Sequence, residues 1–227
     1  LKRGALSGNN FVIRLRDVSD IEQARARADL VAKLGVPNYF GQQRFGREGG
    51  NIEQALSLFA GKRIRSREKR SMYLSAARSL VFNHSVSQRI KKGLFSELLR
   101  GDVMKFTSSN AYFVAELIDE AIQQRFKQGE LELSAPMVGK GDLASVAEAA
   151  ELENSILAEL PELVSGLSDA GLKMERRALA LKPQQFEVAV DGQDLLLSFY
   201  LSAGNYATSI LREIVDCEGL NNDHIGE

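Results

Sequence analysis

Residues 11–40 read FVIRLRDVSDIEQARARADLVAKLGVPNYF, and this stretch sets the class of the fold. Phe11, Ile13 and Leu15 alternate with Val12, Arg14 and Arg16, the period of two expected of a strand buried on one face. Ser19-Asp20-Ile21-Glu22 has the spacing of a capping box, in which side-chain oxygens satisfy the free amides of a helix start. Ile21, Ala24, Ala28, Val31 and Leu34 then recur at helical spacing, and Gly35 stands where a glycine ends a helix. Residues 36–40 continue as a short extended segment. Strand, helix and extended segment in that order open an α/β or α+β domain.

The far end of the chain has the same character. Residues 185–190 and 195–201 are β-prone runs joined through Asp191-Gly192, a hairpin signal with a connection slightly longer than two residues. Ala203-Gly204-Asn205 opens a last helix with Ile210, Leu211 and Ile214 on its buried face. The middle reads mostly as helix, over residues 51–60, 71–99, 114–127 and 143–160. Residues 129–141 read as a loop or short strand and 162–180 as mixed turn and helix. A helical block inserted into an α/β domain explains this order better than two consecutive domains do.

The chain has 227 residues, 44% hydrophobic and 26% charged, enough to bury a core in one domain or two smaller ones. Its net charge of −1 conceals a strong asymmetry. Residues 1–105 hold 21 Lys and Arg against 9 Asp and Glu, whereas 106–227 hold 8 against 21. The basic half suits a polyanion, with nucleic acid the natural candidate, unless the acidic half folds back to neutralise it. The densest charge is at 62–70, where six of nine residues are basic.

Several chemistries are excluded. Cys217 is the only cysteine, so a disulfide framework cannot form within the chain and a cysteine-based zinc site is not expected. His84 and His224 are the only histidines, no metal-ligand spacing is present, and a metal site is not expected. Gly46-Arg-Glu-Gly-Gly50 lacks the Lys-Ser/Thr of a phosphate-binding loop. No apolar run has the length of a membrane span, and no signal-peptide core opens the chain. Residue 1 is leucine, the mark of a processed or cut end, and a reducing, cytoplasmic setting is expected.

The most unusual segment is 35–46, GVPNYFGQQRFG, with Tyr39, Phe40 and Phe45 set among amides and glycines. Aromatic rings stack on an extruded base, amides read base edges and arginine pairs with phosphate. The plainer reading is that the three rings anchor the loop.

This segment resembles the motif of the tRNA pseudouridine synthase D family, in which Asn-x-Phe-Gly and Gln-Arg-Phe-Gly occur together. Five other stretches agree, in the same order: Arg3-Gly-Ala-Leu-Ser-Gly-Asn-Asn-Phe11, Lys69-Arg-Ser-Met-Tyr-Leu-Ser-Ala-Ala-Arg-Ser79 with Phe82-Asn83, Gly101-Asp102-Val103, Leu181-Lys-Pro-Gln-Gln185, and Ala203-Gly-Asn-Tyr-Ala-Thr-Ser-Ile-Leu-Arg-Glu213. The resemblance implies an α+β fold. A mixed-sheet pseudouridine synthase catalytic domain, partial here, would occupy residues 1–63 and 182–227, with a mostly helical α/β insertion domain at 64–181. It implies isomerisation of uridine 13 to pseudouridine in tRNA, with tRNA as partner and no cofactor.

The resemblance also assigns residues. Phe40 becomes the ring under the base, and Asn38 holds the loop or hydrogen-bonds the active-site region. Arg44 and Phe45 support the site. Lys2, Arg3, Arg14 and Arg16, with Lys62, Arg63, Arg65 and Arg67 of the basic run, become phosphate contacts. The nucleophilic carboxylate belongs to a Gly-x-Lys-Asp-x-x-Ala motif that precedes the Arg-Gly-Ala-Leu stretch in the family. No such motif occurs in the chain, so the nucleophile is expected upstream of residue 1 and the chain alone is expected to be inactive. The alternative is a catalytically inactive tRNA-binding module or RNA-chaperone-like paralogue. Gly101-Asp102 lacks the preceding lysine and fits a structural role, and Asp17 and Asp20 fit a strand end and a helix cap.

Overall fold

A computed structural model describes residues 7–109 and 111–216. In chain order it comprises β1 (Gly8–Leu15), α1 (Ile21–Leu34), β2 (Val36–Pro37), α2 (Gly50–Phe59), α3 (Arg67–Lys91), β3 (Asp102–Phe106), β4 (Tyr112–Ala115), α4 (Glu120–Lys127), β5 (Leu131–Met137), α5 (Ala147–Leu157), α6 (Pro161–Asp169), β6 (Glu175–Ala178), β7 (Ala180–Leu181), β8 (Gln184–Asp191), β9 (Asp194–Ser202) and α7 (Ala207–Ile214). The fold is α+β. The chain forms two compact units, one from Leu1–Pro37 with Leu181–Glu227 and one from Asn38–Ala180. The expected boundary at 63/64 therefore falls inside the second unit, between α2 and α3.

The first unit is built on an antiparallel sheet of order β1-β9-β8. The alternation read from the sequence is present: Leu195, Leu197, Phe199 and Leu201 of β9 are buried, whereas Val12 of β1 stands in solvent. Phe199 stacks on Phe11 and on Phe186, with ring centroids 5.5 and 5.6 Å apart. Ala24, Ala28 and Val31 of α1 and Ile210, Leu211 and Ile214 of α7 complete this core. The helix cap differs from the expected box. Asp20 Oδ1 accepts from the Gln23 amide at 2.9 Å, so Asp20 rather than Ser19 is the N-cap. Gly35 ends α1 at φ 75°, where an added Cβ would lie 2.7 Å from the Leu181 carbonyl oxygen. Asp191 lies opposite Asp194, which leaves Gly192-Gln193 as a two-residue turn, shorter than the sequence suggests.

In the second unit α3 is the spine. Leu74, Ala77 and Val81 pack against Ala55 of α2 and against Leu163 and Leu167 of α6. Ser66 caps α3 by accepting from the Lys69 amide at 3.2 Å, so the helix starts at Arg67 and takes in part of the basic run. It ends at Lys91, before Gly93 at φ 71°, and so is shorter than residues 71–99. The expected helix over 114–127 is divided. Residues 112–115 form β4, and Asp119 Oδ1 accepts from the Ile122 amide at 2.8 Å to start α4. The larger difference is an antiparallel sheet of order β4-β3-β5-β6 in a region that reads as mostly helical.

Candidate active site and RNA-binding residues

Residues 38–45 leave β2 and lie in the second unit. Asn38 is only 4% exposed. Its amide donates to the Leu179 carbonyl at 2.8 Å and its Nδ2 to the Ala178 carbonyl at 3.0 Å, while its Oδ1 accepts from Arg177 Nη2 at 2.6 Å. The side chain is thus fixed by consecutive residues at the end of β6. Phe40 is fixed differently. Asn83 Oδ1 accepts from the Phe40 amide and Asn83 Nδ2 donates to the Phe40 carbonyl, each at 2.9 Å, as a strand partner would. One helical turn further along α3, Ser87 Oγ lies 3.0 Å from the Tyr39 hydroxyl. The extended segment is thereby held along α3.

The Phe40 ring meets Phe82 edge-on, with centroids 5.7 Å apart. The Arg177 guanidinium lies over it at 4.2 Å from the centroid and that of Arg44 at 5.4 Å, within reach of cation–π attraction. Arg177 owes its position to strand alternation, which sends neighbouring residues to opposite faces. Arg176 turns into the core, where it pairs with Glu153 at 2.7 Å, both side chains being almost wholly buried. Glu153 also accepts from Ser145 Oγ at 2.7 Å. This pair anchors β6 while Arg177 faces Asn38 and Phe40. A single helical turn over Gln42–Phe45 places Arg44 Nη1 3.0 Å from Ser75 Oγ, and Asn51 Nδ2 donates to the Arg44 carbonyl at 3.1 Å. Phe45 is half-buried beside it.

Phe40 lines an open hollow of about 360 Å³ against α3. Its deep members are Phe40, Leu74 and Ser79, whereas Arg67, Arg70 and Ser71 are exposed at the rim. Arg78 also lines it but is tied back. It donates to the Met137 carbonyl at 2.8 Å and to the Lys173 carbonyl, and pairs with Glu175 at 3.1 Å.

The sequence-read residues fall into separate places. Asn38, Phe40, Arg44 and Arg67 belong to this neighbourhood. Lys62 bonds Gln54 Oε1 at 3.3 Å, and Arg63 and Arg65 are exposed between α2 and α3. Arg14 lies in the first unit, paired with Asp191 and, through Nε at 3.0 Å, with Asp194. Lys2 and Arg3 lie outside the described residues. Asp102 is fully buried and committed: Arg89 meets its two oxygens at 2.8 and 3.1 Å, and the Leu99 amide donates to it at 2.7 Å. Sequence reasoning missed Ser75 and Asn83 as site residues, although both stand in the quoted α3 motif, whereas Arg70 lay within the basic run at 62–70. Arg177 carried no signal, because it sits in a segment that reads as mixed turn and helix. Among the described residues no cluster of three or more His, Cys, Asp or Glu is placed to hold a metal ion, and no helix is long and apolar enough to cross a membrane.

The family model for tRNA pseudouridine synthase D (TruD) matches residues 1–56 and 49–214. Proteins described as tRNA pseudouridine synthase D from Aeromonas salmonicida and Shewanella oneidensis are 46% identical over 218 residues and 43% identical over 216. Those alignments take in 96% and 95% of this chain but 62% and 58% of the relatives, so the chain spans about three-fifths of their length. The crystal structure of a Methanosarcina mazei protein assigned to tRNA pseudouridine synthase D superposes with a TM-score of 0.67 at 22% identity, over 96% of this chain and 70% of that one. At that identity the likeness bears on the fold alone.

Proposed function

Because the chain belongs to the tRNA pseudouridine synthase D family, we propose that it is part of a cytoplasmic enzyme converting uridine 13 of tRNA to pseudouridine. The observation that carries the reading is the Asn38–Arg177–Phe40 arrangement, with Asn38 and Phe40 buried, beside an arginine-rimmed hollow. The reaction breaks the bond from C1′ to N1, turns the uracil, and makes a bond from C1′ to C5. The proton lost from C5 balances the one gained at N1, so no co-substrate is consumed. A carboxylate attacks either the base or C1′, and in this reading it comes from sequence upstream of residue 1. The part of Phe40 that faces the hollow supports the loose uracil as it turns, and Asn38 keeps the loop in register with β6. Arg44 and Phe45 back this loop. Lys62, Arg63, Arg65 and Arg67 meet tRNA phosphates, with Lys2, Arg3, Arg14 and Arg16 as further contacts.

The test is pseudouridine formation on unmodified tRNA, by this chain and by one extended upstream to include the Gly-x-Lys-Asp-x-x-Ala motif. Turnover by the extended protein alone is expected. There Phe40→Ala should lower the rate at saturating tRNA by about 100-fold, the order of a lost positioning group, and Asn38→Ala should lower it as well. Turnover by the 227-residue chain would place the carboxylate within it. Salt-sensitive tRNA binding without turnover in either form would point to a tRNA-binding module.

A further inference from the structure

The hollow beside Phe40 has two chemically distinct parts, and the proposed uracil accounts for only one. Phe40, Leu74 and Leu172 give it an apolar side. The other side is a polar ladder on α3. Ser71, Ser75 and Ser79 are spaced four residues apart, so they share one helix face, and they run from the exposed rim to the buried end. Arg67 and Arg70 stand at the exposed end of this ladder. Of the three arginines lining the hollow, Arg78 is neutralised by Glu175 and bound to backbone carbonyls. Arg67 and Arg70 carry no such pairing among the described residues, so two positive charges border an opening that also carries hydroxyl donors. The volume, about 360 Å³, lies within the range of about 300–1,000 Å³ usual for small-ligand sites. A ligand matching both parts has a flat, weakly polar portion and an anionic portion joined to it.

We propose that the hollow is a subsite for one whole nucleotide, in which Arg67 and Arg70 clamp the phosphate of the residue whose base reaches Phe40. Ser71 donates its hydroxyl proton to a phosphate oxygen. Ser75, whose oxygen already accepts from Arg44, has its own proton to donate deeper in the hollow. The forked guanidinium is suited to this task, because its parallel N–H groups match two phosphate oxygens at once. The subsite rests on the tRNA reading for its source of nucleotide, but its chemistry can be tested without turnover.

The experiment is calorimetric titration of the protein with uridine 5′-monophosphate, uridine and inorganic phosphate. The variants are Arg67→Ala/Arg70→Ala and Ser71→Ala, with Lys91→Ala/Lys92→Ala as a control that removes the same charge at the other end of α3. All of the substituted cations are exposed, so circular dichroism melts should coincide with wild type. The monophosphate is expected to bind more tightly than either fragment. The Arg67/Arg70 double variant should weaken the monophosphate by about ten-fold or more, the size of a lost charge-assisted contact, and leave uridine unchanged. The control pair should change neither. The inference is overturned if wild type does not bind the monophosphate, if the control pair weakens it equally, or if inorganic phosphate binds as tightly as the nucleotide. Failure of the catalytic reading is separable: it would be absent pseudouridine formation by the extended protein with this pattern of nucleotide binding intact.

Discussion

Arg176 and Arg177 are neighbours in the sequence with opposite environments, and each supports a prediction. Arg176 is buried against Glu153, so removing the carboxylate leaves an unpaired charge in the core. Glu153→Ala is expected to cost about 3–5 kcal/mol, measured by urea unfolding, and an unchanged midpoint would show that water reaches the pair. Arg177 meets Asn38 by hydrogen bond and sets its guanidinium carbon 4.2 Å over the centre of the Phe40 ring. In the extended protein Arg177→Ala should lower the single-turnover rate by about ten-fold with the tRNA Kd nearly unchanged. Arg177→Lys should recover little of this, because an ammonium offers no planar face to the ring. A variant that lost stability but kept its rate would reduce Arg177 to scaffolding. In the sequence, Asn38 and Phe40 were picked out by the resemblance of the aromatic-amide loop to the family motif, and both prove to be buried. The sequence held no hint of their partner 139 residues away from Asn38, because pairing across such a separation depends on β6 docking, not on local pattern.

At the scale of the element, legibility followed the number of buried faces. β1 and β9 each have one face in the core and one toward solvent, and their alternation was readable. β5 is buried at five of its seven positions, including Ser134 and Pro136, so no alternation exists to be read. Its polar members are satisfied internally: Ser134 Oγ donates to the Val103 carbonyl at 2.6 Å and accepts from Arg176 Nε at 3.1 Å. α3 was readable because a long helix buries one stripe, although its ends depended on Ser66 and Gly93 and were misplaced. Helix packing around α3 is tight enough to test. Gly166 of α6 lies where an added Cβ would come within 2.2 Å of the Phe59 ring of α2. Gly166→Ala should therefore destabilise by about 1–3 kcal/mol, seen as a lower thermal midpoint. Phe59→Leu introduced alongside it should recover part of that loss by vacating the ring position, whereas no recovery would mean the backbone of α6 had moved instead.

Across the whole molecule, charge separation is the feature that sequence showed most directly, and structure shows that the segregation is partly spent internally. Arg14, Arg78, Arg89 and Arg176 are all basic residues consumed by carboxylates. The cations between α2 and α3 are not used in this way: Lys62 meets only an amide, and Arg63 and Arg65 make no ion pair among the described residues. A basic segment that spends no charge on its own fold is available to phosphate, and each phosphate it neutralises releases counterions. If all three contact tRNA, the Lys62→Ala/Arg63→Ala/Arg65→Ala variant should reduce the slope of log binding constant against log salt concentration by about two to three. The wild-type slope, measured from low to physiological salt by filter binding, provides the reference. Reduced affinity with an unchanged slope would mean that these residues shape the link between α2 and α3 without touching the backbone of the RNA. An unchanged slope and affinity would assign the electrostatic contact to other cations of the first half.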